Sequence, residues 1–474
     1  MDPTTVDEST ASATAPRRGL AVGLCLAVSA VAFEAISVAT AMPAAARDLD
    51  GLDYYAWAFS LFLIGQLFAT VAAGRVADRI GPARPMAFGI ALFGVGLVVA
   101  ATAPTMMQLV LARLLQGLGA GVVGVSMYVI IAQAFDVRRR PAMFSWISSA
   151  WVVPSFVGPV VAAWLTHHLS WRAVFWADLP LLALGSAMML PPVLRVADAP
   201  PRDRAGSARP AALWAAGLAA VGAAAVQLAG QRAGQRAGWS ALLLGLVGLA
   251  LVALSLPHLM PRGFFRFRPG LPPVIVVRAL IAGAFFGAEA FVPLMLVEQR
   301  HLSLLVAGST LTVGAVGWSL GAWLQSLKGL RLPRERIITL GATSVFFGVG
   351  LVALVARLQL PVVVVALAWL FAGLGMGLAT SSTSIATMSL SVPADQGRNA
   401  SSLQFGEAFG GGLFIGVGGT VFAALRPGGD LTATFSAVLA AMTVVGAGAV
   451  LASLRTGPIR EAASAAPSPS SPGA

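Results

Sequence analysis

Five charged side chains fall within or beside apolar runs where an ordinary membrane helix would meet lipid: Glu34, Arg113, Arg278, Glu289 and Glu407. A charge at the centre of such a helix costs about 2.5–3.5 kcal/mol on insertion scales, so each is expected to face a cavity or a partner. Glu34 lies slightly past the middle of its run, with Ser37 one turn on along the same face. A carboxyl in a low-dielectric cavity has its charged form disfavoured, which prepares it to accept a proton when no cationic partner is near. The competing reading is a carboxyl that pairs with an arginine and only holds helices together. Arg113 and Gln116 share one helical face. An arginine cannot lose its proton, so it can hold a nearby acid ionised or release it as helices shift; a plain structural ion pair is the alternative.

Arg278 and Glu289 are eleven residues apart, three turns, and line one face about 16 Å apart. Arg278, near the inner end of its run, fits snorkelling to the interface. Glu289, mid-run and before Pro293, fits a second proton site or a contact for a cationic substrate. Ser401, Gln404 and Glu407 follow at three-residue steps and make a polar stripe that would shape a cavity.

The surroundings of these residues are apolar throughout. The 474-residue chain is 57% hydrophobic and 11% charged, with a mean hydropathy of +0.83. A soluble protein cannot hide that much apolar surface, so an all-α polytopic membrane protein is expected. One cysteine, Cys25, excludes an internal disulfide framework. The four histidines lack metal-ligand spacing, and no metal site is expected. The net charge of +12 comes without a basic stripe interleaved with aromatics, so nucleic acid is not an expected partner. There is no Gly-x4-Gly-Lys-Ser/Thr, and Lys328 is the only lysine, so no ATP site and no cofactor are expected.

Residues 1–18 and 455–474 read as disordered cytoplasmic tails rich in small polar residues. Successive apolar runs place six spans in 19–194, near 19–43, 55–75, 86–103, 105–134, 141–166 and 174–194. A linker, 195–210, leads to two inserted runs within 211–256, and a basic linker, 257–272, leads to six more spans in 273–454. With fourteen spans and the N-terminus inside, 22 of the 31 basic residues fall on the inner side, 7 outside and 2 within spans. That bias supports a multi-pass protein of the cell membrane with both termini cytoplasmic. Twelve spans is the alternative, since both inserted runs cross or neither does.

The polar turn from Gly74 to Arg84, with Asp78, Arg79 and Gly81 between them, is expected to join spans two and three at a water interface. Gly74 would allow close helix approach and Gly81 a tight reversal. This stretch resembles the loop motif Gly-x-Leu-Ala-Asp-Arg-x-Gly-Arg-Lys of the major facilitator superfamily, with Pro82 and Ala83 where that motif is basic. Arg113 to Gly121 resembles the family's fourth-helix motif Arg-x-x-Gln-Gly-x-Gly. Ser155 to Pro159 is similar to its antiporter motif, in which Gly158-Pro159 would kink helix five. Ser170 to Pro180 resembles the start of its helix six. Glu34, nine residues before a helix-ending Pro43, stands where drug:proton antiporters carry an acid. In the second half only a worn copy of the loop motif remains, from Gly321 to Gly329 with Gln325 in the acid's place.

The resemblance implies two six-helix bundles plus two extra helices, rocking around a central cavity in a monomer. It implies proton-driven export of a small hydrophobic or amphipathic compound across the lipid bilayer, powered by the proton gradient. Glu34 and Arg113 would couple the proton, while Gly74, Asp78, Arg79, Gly81 and Arg84 would latch the inner gate. Arg278, Glu289, Gln404, Glu407 and Gln116 would line the cavity. A lipid or metabolite carrier of the same fold is the alternative; a membrane enzyme or receptor would need a convergent catalytic set that the chain does not show.

Overall fold

The computed structural model describes residues 15–135, 139–196, 213–235, 238–261, 263–325, 327, 332–392 and 395–459. The outer parts of both expected tails, most of the linker 195–210, Arg262, and Lys328 with Gly329 lie outside the described residues, as does the side chain of Asp78. Thirteen helices among the described residues are long and apolar enough to cross a membrane. One further crossing is built from two shorter helices, consistent with fourteen.

The first group comprises α1 (Ala15–Asp48), α2 (Tyr55–Ile80), α3 (Ala83–Ala101), α4 (Met106–Ala134), α5 (Arg140–Ser149), α6 (Val152–His168) and α7 (Arg172–Val196). Next come α8 (Leu213–Gln235) and α9 (Trp239–Leu259). The last group comprises α10 (Leu271–Glu298), α11 (Leu304–Leu324), α12 (Arg334–Leu358), α13 (Val362–Ser389), α14 (Gln396–Leu425) and α15 (Leu431–Ser453). Helix is what such sequences must form in lipid, because it satisfies each backbone polar group within its own segment.

The two groups repeat one packing scheme. In the first, α4 packs on α2 and α3, and α1 packs on α6 and α7. In the second, α13 packs on α11 and α12, and α10 packs on α14 and α15. Between the groups, α2 meets α14 and α6 meets α11. The inserted hairpin lies on one of these seams: α8 touches both α2 and α14. Gly222 and Gly248 let α8 and α9 close, since a methyl on either would meet the other's carbonyl oxygen at 2.8 Å. On the far side α9 exposes Trp239, Leu243 and Leu254, as a lipid-facing surface does.

Two helix ends differ from expectation. Pro43 does not end α1, which runs on to Asp48; Ala44-Ala45-Ala46 are strong helix formers, and Ala45 and Ala46 are buried. The fifth crossing breaks at Ala150-Trp151, while the helix continues through Gly158-Pro159. The break falls where Pro154 has no N–H to offer the Ala150 carbonyl. That carbonyl instead accepts a 2.9 Å hydrogen bond from Ser29 Oγ on α1.

Candidate functional site

At the heart of the first group, Arg113 of α4 forms an ion pair with Glu34 of α1. The two side chains are 2% and 1% exposed, so the pair is sealed from water. Arg113 also donates from Nη1 to Gln116 Oε1 at 2.7 Å and from Nε to the Ala58 carbonyl at 2.9 Å. Its guanidinium lies 4.4 Å above the centre of the Phe62 ring. Close packing delivers it there. A methyl on Gly117 would meet the Phe62 carbonyl oxygen at 2.1 Å, and one on Gly119 would meet Phe93 N at 2.6 Å. The glycines after Arg113 thus bring α2 and α3 against α4.

The cluster is polar beyond its ion pair. Ser37 Oγ, Thr40 Oγ1 and Gln116 Nε2 are buried and find no partner among the described residues. Buried polar groups are normally satisfied, so a concentration of unpartnered donors and acceptors around a charge pair makes this cluster the candidate site. Gly158 of α6 faces Ser37, where a methyl would sit 3.0 Å from Oγ, and Pro159 abuts Gly308 of α11. The Gly158-Pro159 pair therefore stands where α1, α6 and α11 meet.

The second group has its own ion pair. Arg278 of α10 bonds Glu407 Oε2 of α14 at 2.8 Å, with the two side chains 7% and 23% exposed. Arg278 Nη1 further donates to the Thr380 carbonyl, and to Thr383 Oγ1 at 2.9 Å. Snorkelling is thereby corrected: Arg278 turns inward because a carboxylate and a hydroxyl-bearing stretch of α13 lie within its reach. Ser401 and Gln404 on α14 are exposed, and Glu407 is half-buried. Glu289 is also half-buried and has no ion pair among the described residues. Gly373, Gly375 and Gly377 serve packing, as a methyl on Gly373 would meet the Gly314 carbonyl oxygen at 2.0 Å. Beside them the buried Trp369 stacks on Phe285, with ring centres 4.9 Å apart. Gln325 accepts from Arg334 at 2.8 Å and from Ser382 at 3.3 Å, tying the end of α11 to α12 and α13.

At the α2–α3 turn Gly81 adopts φ +81°, a left-handed conformation that a tight reversal requires. Arg79 and Arg84 are exposed. Gly74 does not serve a close approach in this state, because a methyl there would meet nothing within 4 Å.

Sequence reasoning missed a clasp at the opposite end, where α1 runs into α2. Arg47 of α1 pairs with Glu298 of α10, and Arg426 after α14 pairs with Asp53 before α2 at 2.7 Å. Tyr55 Oη donates to the Ala290 carbonyl at 2.7 Å. Gln231 of α8 accepts from Trp57 Nε1 at 2.6 Å and donates to the Asp53 carbonyl at 3.1 Å. Apolar packing continues the seam: Gly412 of α14 sits against Leu63 and Ile64 of α2, and Gly308 of α11 against Thr40. The one sequence signal was charge at neighbouring span ends, which does not identify partners.

Known proteins share this fold. A probable multidrug-efflux transporter of Mycobacterium tuberculosis (strain ATCC 25618 / H37Rv) is 26% identical over 92% of this chain and 93% of its own. An uncharacterized MFS-type transporter of the same strain is 30% identical over 278 residues, and this chain spans 38% of that relative's length. Among solved structures, a peptide transporter in complex with sulfate superposes with a TM-score of 0.67 at 18% identity, over 93% of this chain and 95% of that one. A bacterial homolog of the human lysosomal transporter Spinster, solved inward-facing and unoccupied, gives 0.62 at 13% identity over 93% and 98%. The family model described as Major Facilitator Superfamily matches residues 22–415. With repeated helix groups and a charged fourth-helix motif at its core, the chain belongs to the Major Facilitator Superfamily of membrane transporters.

Proposed function

We propose that the protein exports hydrophobic or amphipathic small molecules in exchange for protons by alternating access. The observation that carries this reading is the sealed Glu34–Arg113 cluster with its unsatisfied hydroxyls and amide. Protonating Glu34 removes the charge that Arg113 holds, which loosens α1 from α4 and gives the two helix groups a reason to change their relative tilt. Arg113 keeps its bonds to Gln116 and Ala58 throughout, so the arginine stays in place while the acid cycles. Relatives named for multidrug efflux support the substrate class.

The basic residues favour an inside N-terminus, which puts the clasp outside and makes this state inward-facing. In that orientation the exposed Ser401 and Gln404 and the half-buried Glu407 of α14 would line the cytoplasmic end of the substrate path, with Glu289 deeper along it, and the two carboxyl groups would favour cationic amphiphiles. Asp78, Arg79 and Arg84 would close that side when the clasp opens. The protein works as a monomer in the cell membrane and uses the proton gradient with no bound cofactor. In reconstituted vesicles, lipophilic cations added to the wild-type protein should trigger proton movement opposite in direction to their own. Substrate flux without proton movement would favour a facilitator or lipid carrier, and substrate and protons moving in the same direction would favour an importer.

A further inference from the structure

One buried acid takes no part in the cluster just described. Asp178, in the second turn of α7, is 1% exposed, and both of its carboxylate oxygens lack a partner among the described residues. An isolated ionised carboxylate in such a place costs far more than a neutral one, because no cation or donor replaces its water.

The register of α7 on α1 places this acid. A methyl on Gly185 of α7 would meet Ala27 N at 2.8 Å, and one on Gly23 of α1 would meet Met189 N at 2.7 Å. Continuing this antiparallel pairing by seven residues on each helix sets Asp178 level with Glu34. Seven residues are close to two turns, so Asp178 shares the face of Gly185 turned to α1, and Glu34 shares the face of Ala27 turned to α7. At this level there are two carboxyls and one guanidinium, and Arg113 is committed to Glu34.

The other charged groups on the helices around α7 lie toward the ends. On α1, Arg47 pairs with Glu298, and Asp48 accepts from Trp171 and Arg172 at 2.9 and 2.8 Å. Cys25 is nine residues from Glu34 toward the opposite end. On α3 there is Arg84 at the far end, and on α6 the pair His167 and His168 at its last turn. Asp178 lies six residues inside Arg172, about 9 Å along the helix axis, so it is close to the water at the clasp.

We propose that Asp178 is a proton-relay site: it holds a proton in this state, takes it from water on the clasp side, and passes it to Glu34. In the transfer the O–H bond on Asp178 breaks and one forms on Glu34. Arg113, still held by Gln116 and the Ala58 carbonyl but no longer neutralised by Glu34, then stabilises the Asp178 carboxylate through its charge until the next proton arrives, so charge at this level is conserved. The inference rests on Glu34 being the coupling carboxyl.

Infrared spectra of the purified protein test the proton directly and do not depend on transport. At neutral pH the wild type should show a protonated-carboxyl C=O band that is lost in Asp178→Asn. In Asp178→Glu, which keeps the acid should the amide variant fold poorly, the band should shift. In Glu34→Gln the freed Arg113 should draw Asp178 into its ionised form and weaken the band. A band unchanged in Asp178→Asn, or absent from the wild type, overturns the proposal. A band that depends on Asp178 but ignores Glu34→Gln makes the acid structural and overturns the relay. In vesicles, Asp178→Asn should lose proton-driven efflux yet retain substrate exchange, and unchanged proton-driven efflux would also overturn the relay. Vesicles in which the wild type moves no protons would refute the antiport reading instead, with the infrared result still deciding the state of Asp178.

Discussion

Each half of the molecule buries an arginine–carboxylate pair, and the two pairs are built to opposite ends. Glu34–Arg113 is sealed at 1% and 2% exposure and anchored to a backbone carbonyl, a glutamine and an aromatic face. Arg278–Glu407 leaves its carboxylate 23% exposed on a helix whose neighbouring Ser401 and Gln404 are exposed as well. In a dry site a charge pair is coupled tightly to the packing of its helices, whereas beside water the same pair is screened. The sealed pair is therefore suited to turn a proton into a helix movement, and the open one to meet a solute. The pseudo-symmetric partner of the first-half site carries no charge. Where α4 carries Arg113 seven residues from its start, α13 carries the buried, stacked Trp369 at the same count.

Breaking the pairs should separate them by magnitude. Arg113→Ala strands a buried carboxylate and should cost about 3–5 kcal/mol, read as a large fall in thermal stability in detergent. Arg278→Ala leaves Glu407 in reach of water, so the loss should be nearer the 1.5–3 kcal/mol of a charged hydrogen bond. Equal losses for the two would remove the distinction. By contrast, the glycine scaffold is common to both halves. Gly117→Val and Gly373→Val should each destabilise by about 1–3 kcal/mol through overpacking, and a tolerated valine in one half would show that its helices are held apart. The smallest stability effect belongs to the clasp. Arg47→Ala removes a half-exposed pair worth about 0–1 kcal/mol, yet it should shift spin-label distances between α1 and α10 toward separation at that end.

Much of this fold was legible because its signals are local. Apolar run length gave the crossings, and the spacing Arg113-x-x-Gln116 with its glycines gave the packing of α4. Residue pairing over long distances was not. Arg278 and Glu407 are 129 residues apart, and which faces meet depends on helix rotation, which run length does not determine. The clasp residues Asp53, Glu298 and Arg426 stand at or beside span ends, where the sequence shows a charge but not its partner. Pro43 and Pro154 look alike in sequence, yet buried alanines carry α1 through the first while the fifth crossing breaks beside the second. Asp178 was hidden inside a motif that seemed to explain it.

The central claim is that the sealed pair, and not the open one, couples protons to transport. It is tested most directly by substrate-triggered proton movement in reconstituted vesicles, with wild type, Glu34→Gln and Glu407→Gln compared side by side. Glu34→Gln should abolish proton movement, while Glu407→Gln should keep the proton-to-substrate ratio and shift preference away from cations. Full proton coupling in Glu34→Gln, or its loss in Glu407→Gln alone, would move the coupling site away from the sealed pair.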